Sequence, residues 1–494
     1  MTRTEWLLAL CAVSGCGPTA ANKGDEGIDD APSEAVVAWA VQGGGAVDDQ
    51  GVGVSSLEDG TVVVAGTFRG DADFDTRKES TLSASGPNDG FVARYGMDGD
   101  LEWLTRAGGD SQTEYDFAST VAALPDGGFV VAGSFSGAAT FGAGGAQTTL
   151  VSAGPRDVFV ARYQAAGQLS WVKQAGGLCG SIVTQLTALS SGQLVLVGFL
   201  TGPTVFGNGE ANETTLTPVG LAECMIAQFD GDGDLLWAQL IQGTTDGGNV
   251  CSGTAASTSG QIAVTGSFDY EVVLGSGGGV VLDSVGGSDV FIAAYDVAGG
   301  ILWARSSGGS DDDLGHGIAA CPGESWLITG TTAGTAVFGA GEPEETSLTT
   351  RGETDLFLAN YDGDGTLTWV RQAGGSSADV GYGLVSLANG AILLTGFFSG
   401  TASFGDVADA TVVETAGAED IFLARFDEAG ALVSVHRAGG LFADHAFGVA
   451  ATESGDALVT GYFSDAATFF PGTAFETTLT SRGGTDIFVA RMPR

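Results

Sequence analysis

Residues 354–375 read TDLFLANYDGDGTLTWVRQAGG. An apolar run from Leu356 to Tyr361 enters the segment Asp362-Gly-Asp-Gly365, and a second run, Leu367 to Val370, leaves it. Extended runs on either side of a Gly/Asp pair are the mark of a hairpin. The same aspartates are also what a cation-binding loop would offer. The rest of the chain decides between the two, because the string returns every 64–68 residues.

The corresponding turns read GMDGD, QAAGQ, DGDGD, DVAGG, DGDGT and DEAGA. Gly holds one place in all of them (Gly99, Gly167, Gly233, Gly299, Gly365, Gly430), whereas Asp364 is matched by Ala166, Ala298 and Ala429. A tight bend needs a positive φ, which glycine adopts freely. Calcium needs about six oxygens or more, and two aspartates in a short turn are too few. The sequence therefore predicts a bend.

Two further markers keep step with it. The Gly that ends each VVVAG-type run falls at 66, 133, 198, 266, 330, 396 and 461. An acidic residue opens each third run, at Asp89, Asp157, Glu223, Asp289, Asp355, Asp420 and Asp486. Each unit breaks into four extended runs, in the sixth Gly383–Leu387, Ala391–Phe398, Asp420–Phe426 and Leu432–Arg437. A longer loop containing Phe404-Gly405 separates the second from the third. The pattern predicts an all-β chain of four-stranded antiparallel sheets stacked radially, a seven-bladed β-propeller over residues 36–494. The last unit ends with its third strand, so residues 36–42 at the start are expected to pair with 486–492 and remove an exposed sheet edge. The phrase D-x-F-x-A-R-Y…G-x-L-x-W and its period resemble the seven-bladed β-propeller repeat family of bacterial surface and secreted proteins. The resemblance implies a fold and leaves function open.

The 494 residues include 82 Gly, 60 Asp+Glu and 18 Lys+Arg, with a net charge of −42. That charge disfavours nucleic acid and anionic lipid surfaces as partners. Residues 1–15, MTRTEWLLALCAVSG, have one early Arg3 and an apolar core from Trp6 to Val13 that is too short to span a bilayer, as in an export signal. Val13-Ser14-Gly15-Cys16 resembles a bacterial lipobox, which implies lipidation at Cys16 and, with Gly17 following, an outer-membrane or cell-surface location. Residues 16–35 read as an acidic tether without large apolar groups.

Several residue sets invite a functional reading. Asp49, Asp116, Ser181, Asn249, Asp313, Asp379 and Asp444 precede the first strand of each unit, in loops that share one face. The five carboxylates among them could hold calcium; otherwise they accept hydrogen bonds from local backbone, as Ser181 and Asn249 also can. Asp311, Asp312, His316 and His445 are unique to single units, and both histidines are expected in solvent-facing loops of that face. His436 is expected on an outer strand. Cys179, Cys224 and Cys251 map to neighbouring units and allow one disulfide in an oxidising compartment, with the pairing open. No P-loop, G-x-S-x-G or H-E-x-x-H is present. The sequence predicts a monomeric, lipid-anchored surface module without catalysis, either structural or binding an unidentified ligand or protein through its variable loops, with no cofactor beyond calcium. The rival is a secreted glycan lyase or hydrolase working at the axial opening.

Overall fold

In a computed structural model, residues 38–75, 80–111, 114–142, 147–275, 279–405 and 410–494 are described. The expected export signal, the expected lipidation site Cys16, the expected tether and residues 36–37 of the expected closing strand lie outside them. Among the described residues there is no helix, and the paired strands run antiparallel.

Each sequence unit contributes long strands that lie side by side in chain order. In the sixth they are Val380–Ser386, Ile392–Phe404, Thr411–Phe426 and Leu432–Gly440. The first strand of every unit packs against the first strand of the next, and that of the seventh, His445–Ala451, packs against that of the first, Gln50–Ser56. The seventh unit takes its outer strand from the other end of the chain. Trp39–Gly45 pairs with Thr477–Met492, with Trp39 opposite Arg491, Ala40 opposite Ala490 and Gly43 opposite Ile487.

One expectation is corrected. The stretch around Phe404 is a two-stranded ribbon rather than a loop, because Ser399–Phe404 pairs with Thr411–Glu419. Ala402 and Phe404 alternate inward, both fully buried, which is strand periodicity. The ribbon also reaches the preceding unit, where Gly374 and Gly375 lie opposite Ser403 and Ala402. The same lacing joins Gly308 to Val337, Gly439 to Thr468 and Gly44 to Asp73. A methyl group on Gly375 would stand 1.8 Å from the Thr401 carbonyl oxygen, so the backbone contact requires glycine here.

The opening bend has two physical causes. Gly365 has φ +79°, and its Cα faces the indole of Trp303 from the preceding unit, 2.5 Å from where a Cβ would sit. Trp303 Nε1 donates to the Gly363 carbonyl at 2.8 Å. The Asp364 side chain is exposed, whereas Asp362 Oδ1 accepts from the amides of Asp364 (3.0 Å) and Thr366 (2.8 Å). The turn glycine of each of the first six units thus serves as the seat for its neighbour's tryptophan. Gly365→Ala should lower the unfolding free energy by about 1–3 kcal/mol, from left-handed backbone strain and a displaced indole. Asp364→Ala should stay within about 0.5 kcal/mol of the parent in the same urea titration. Equal losses would mean that the carboxylate, not the glycine, holds the bend.

Candidate functional site

Two buried polar positions recur in every unit, the first of them acidic in five of the seven. Asp379 accepts from the amide of Gly375 at 2.7 Å and from that of Ser399 at 3.2 Å. Asp49 does the same with Gly45 and Arg69, Asp116 with Gly109 and Ser136, and Asp444 with Gly440 and Ser464. Asp313 Oδ1 accepts from Ala333. Asn249 accepts from Cys224, and the Ser181 hydroxyl meets that of Thr204. All five carboxyls are at most 1% exposed. They tie a loop to the ribbon that follows. Burial, only partly offset by the amides, raises each to about 7. Among the described residues, no three His, Cys, Asp or Glu side chains form a group able to hold a metal ion.

The second position begins the third strand in the first four units and lies within the longer third strand of the last three. Asp355 Oδ2 accepts from Gln372 Nε2 at 2.7 Å, while Oδ1 is buried without a partner. One carboxylate oxygen is left likewise at Asp89, Asp157, Glu223, Asp289, Asp420 and Asp486. The two positions face one glycine: a methyl on Gly374 would lie 2.7 Å from Asp355 Oδ1 and 2.9 Å from Asp379 Oδ2.

Both loop histidines are corrected. His316 lies within the strand Leu314–Ala320 and is 5% exposed; the pairing slips there between Gly315 and Gly317, and the bulge turns its ring inward. Burial pushes it down to about 4, so it is neutral at neutral pH. His445 opens its strand rather than lying in a loop. Its ring stacks on Phe397, centroids 3.9 Å apart and planes 9° from parallel. The same slip places Tyr382 and Phe447, and the rings form a continuous chain: His316 to Tyr382 5.0 Å, Tyr382 to Phe447 5.3 Å, Phe447 to His445 6.2 Å. Asp311 and Asp312 stay at the surface, Asp312 accepting from the Ser288 amide. His436 is exposed on its outer strand.

His445 also joins two residues that the sequence reading missed. Its Nε2 lies 3.0 Å from Glu419 Oε2, and its Nδ1 lies 3.0 Å from Tyr462 Oη. Burial lowers the imidazole, and its hydrogen bond lowers Glu419, so the neutral ring donates from Nε2 to a carboxylate. Nδ1 then accepts the Tyr462 proton. Burial, then Glu419, raises the phenol of Tyr462 above its ordinary range. The available signal was departure from the repeat: Glu419 aligns with Asn88, Arg156, Ala222, Ser288, Thr354 and Thr485. This cluster stands on the face of the variable loops, as the amide of Asp444 donates to the Glu419 carbonyl. The same face exposes Val47, Leu178, Leu221, Val285, Leu441 and Phe442.

Cys224 and Cys251 are bonded to each other, with Cα atoms 5.1 Å apart, and Cys179 is a free thiol. Their bond links the third strand of one unit to the first strand of the next.

An apolar cavity of about 250 Å³ opens on the outer side between the sixth and seventh units, lined in part by Leu423, Val435, Phe470 and Met492. Ser434, next to Val435 in the chain, holds the place that Trp303 and Trp369 occupy in the preceding units.

No family model matches the chain. It is 20% identical, over 88% of its length, to an uncharacterised WD repeat-containing protein, L264, of Acanthamoeba polyphaga mimivirus, and spans 36% of that protein. It is 28% identical to the regulatory protein FlaEY of Caulobacter vibrioides over 28% of its length and 14% of FlaEY. Among solved structures, a puromycin hydrolase variant complexed with PGG aligns with 88% of the chain and 54% of its own at 14% identity, TM-score 0.43. A gluconolactonase of Xanthomonas campestris aligns with 75% of the chain and 92% of its own at 13% identity, TM-score 0.31.

Proposed function

We propose that the chain is an exported, lipid-anchored surface module: a seven-bladed β-propeller, closed by its N-terminal strand, that binds a ligand or protein partner through the face of its variable loops. The observation that carries this reading is the meeting, on that one face, of side chains the repeat does not demand. Glu419, His445 and Tyr462 converge there beside exposed Leu441 and Phe442. A rigid scaffold with divergent loops is a common way to present a recognition site. The N-terminal strand supports the orientation. Trp39 enters beside the turn at Met97, on the face opposite the loops, so a tether from Cys16 would direct the loops away from the membrane.

A second reading, a glycan-acting lyase or hydrolase, is favoured by the Glu419–His445–Tyr462 hydrogen-bond chain, since an oriented imidazole facing a phenol is suited to proton transfer. One experiment separates them. Residues 35–494, applied to arrays of saccharides and peptides, should retain a ligand unchanged. Retention should fall at least tenfold in Phe442→Asp and be unaffected in Val297→Asp, on the turn face. Consumption of the ligand would establish the enzyme. Equal loss in both variants would remove the loop face as the site.

A further inference from the structure

We infer that the cluster around Tyr462 receives a cationic side chain, lysyl or arginyl, carried on an apolar segment of a partner protein. The inference rests on the loop-face reading above and adds the chemistry of the occupant. Three observations point the same way.

The first is hydrogen-bond polarity. With His445 neutral and its Nε2–H given to Glu419, the Tyr462 hydroxyl proton is committed to Nδ1. The phenol therefore turns only lone pairs outward, and the Glu419 carboxylate, 37% exposed, adds acceptors beside it. A group that docks here must donate.

The second is charge. The groups that act on the Tyr462 phenol are Glu419, Tyr382, Asp444 and Asp48, and each disfavours its anion. Of these groups Asp48 is paired, with Arg69 at 3.4 Å, and that pair is exposed. On a chain of net charge −42, this spot attracts a positive group and repels polyanions.

The third is the surrounding surface. The half-buried Tyr462 ring stands 4.9 Å from the imidazole, while Phe397 (3.9 Å) and Phe447 (6.2 Å) are buried and hold the imidazole in place. A half-buried phenol ring beside a carboxylate suits an alkylammonium or guanidinium group, whose methylenes pack while its head pairs. Leu441 and Phe442, exposed in the adjoining loop, give the apolar neighbours of that cation a place to rest. The loop is held against the site, as the Ala418 amide donates to the Leu441 carbonyl.

The test uses residues 35–494 at 0.15 M salt with two peptides, Gly-Lys-Leu-Leu-Gly and Gly-Gln-Leu-Leu-Gly. The lysyl peptide should bind at least tenfold more tightly and shift the ring resonances of His445 and Tyr462. Glu419→Gln and Tyr462→Phe should each weaken it at least fivefold while leaving the circular dichroism unchanged. Asp364→Asn, an exposed charge on the opposite face, should leave affinity as it is. Equal binding of the two peptides would overturn the inference. So would an Asp364→Asn loss equal to that of Glu419→Gln, the sign of diffuse attraction to an acidic chain. If the lysyl peptide fails while an arrayed ligand still depends on Phe442, the cation falls and the loop-face reading stands.

Discussion

Trp39→Ala should destabilise the protein by about 3–5 kcal/mol, more than the equivalent change at Trp237. Trp39 is 8% exposed, packs over Gly99 of the first unit, and donates from Nε1 to the Met97 carbonyl at 2.9 Å. Its cross-strand partner Arg491 donates to that same carbonyl at 3.1 Å and pairs with buried Asp456 at 2.9 Å. Removing the indole opens a cavity and exposes this ion pair, whose partners are then less well compensated. Trp237 makes the analogous bond to Val297, but its unit is continuous chain and its ring is only partly buried. Urea titrations of the two variants measure the difference. Equal losses would mean that the N-terminal strand carries no special burden.

The protein should be more stable at pH 5 than at pH 8, by several kcal/mol. Asp49, Asp116, Asp313, Asp379 and Asp444 have folded values of about 7 against 3.8 in the unfolded chain. A raised carboxyl favours the folded state when protonated. Its contribution is therefore complete below about pH 4 and is lost as pH rises through 7. Asp289 and Asp486, raised to about 6, act in the same sense. The histidines oppose it: His316, His436 and His445 are lowered, so they cost stability as pH falls below 6.5. Five aspartates outweigh three histidines, since every tenfold change in a group's proton affinity on folding is worth about 1.4 kcal/mol. Asp355 Oδ1 is buried without a hydrogen-bond partner, and it and Asp379 Oδ2 both border Gly374, so ionising Asp379 adds charge beside an acceptor that is already uncompensated. Asp379→Asn, which copies Asn249 of the fourth unit, should reduce the difference in melting temperature between pH 5 and pH 8. A melting temperature that rises with pH would contradict the assignment.

The periodic features of this fold could be read from the chain. Turn glycines, third-strand acids and interior alanines recur because every unit solves the same packing problem; Ala93, Ala227 and Ala424, for example, are fully buried. Contacts between units were less legible. Nothing near Gly365 in sequence indicates that Trp303 will lie on it, and the Gly374-Gly375 pair reads as a loop until the next ribbon is placed opposite. His316 follows three aspartates and so reads as exposed, yet a one-residue bulge turns it inward. The cluster at Tyr462 is the extreme case. Glu419 and His445 are 26 positions apart, His445 and Tyr462 17, and the two ends come from different units. Only their departure from the repeat sets them apart, and departure alone does not say which residues meet.

The most direct measurement is a cross-link between the two ends of the chain. Ala40→Cys with Ala490→Cys, in residues 35–494 with Cys179 and Cys321 changed to Ser, places two thiols on directly opposed residues of the joined sheet. Oxidation should give one new intramolecular disulfide, besides Cys224–Cys251, in nearly all molecules and raise the melting temperature. Ala40→Cys with Val489→Cys, one residue out of register and on the opposite face of the strand, should not form it. No new intramolecular bond in the first variant, or equal yields in both, would contradict a sheet completed by the N-terminal strand.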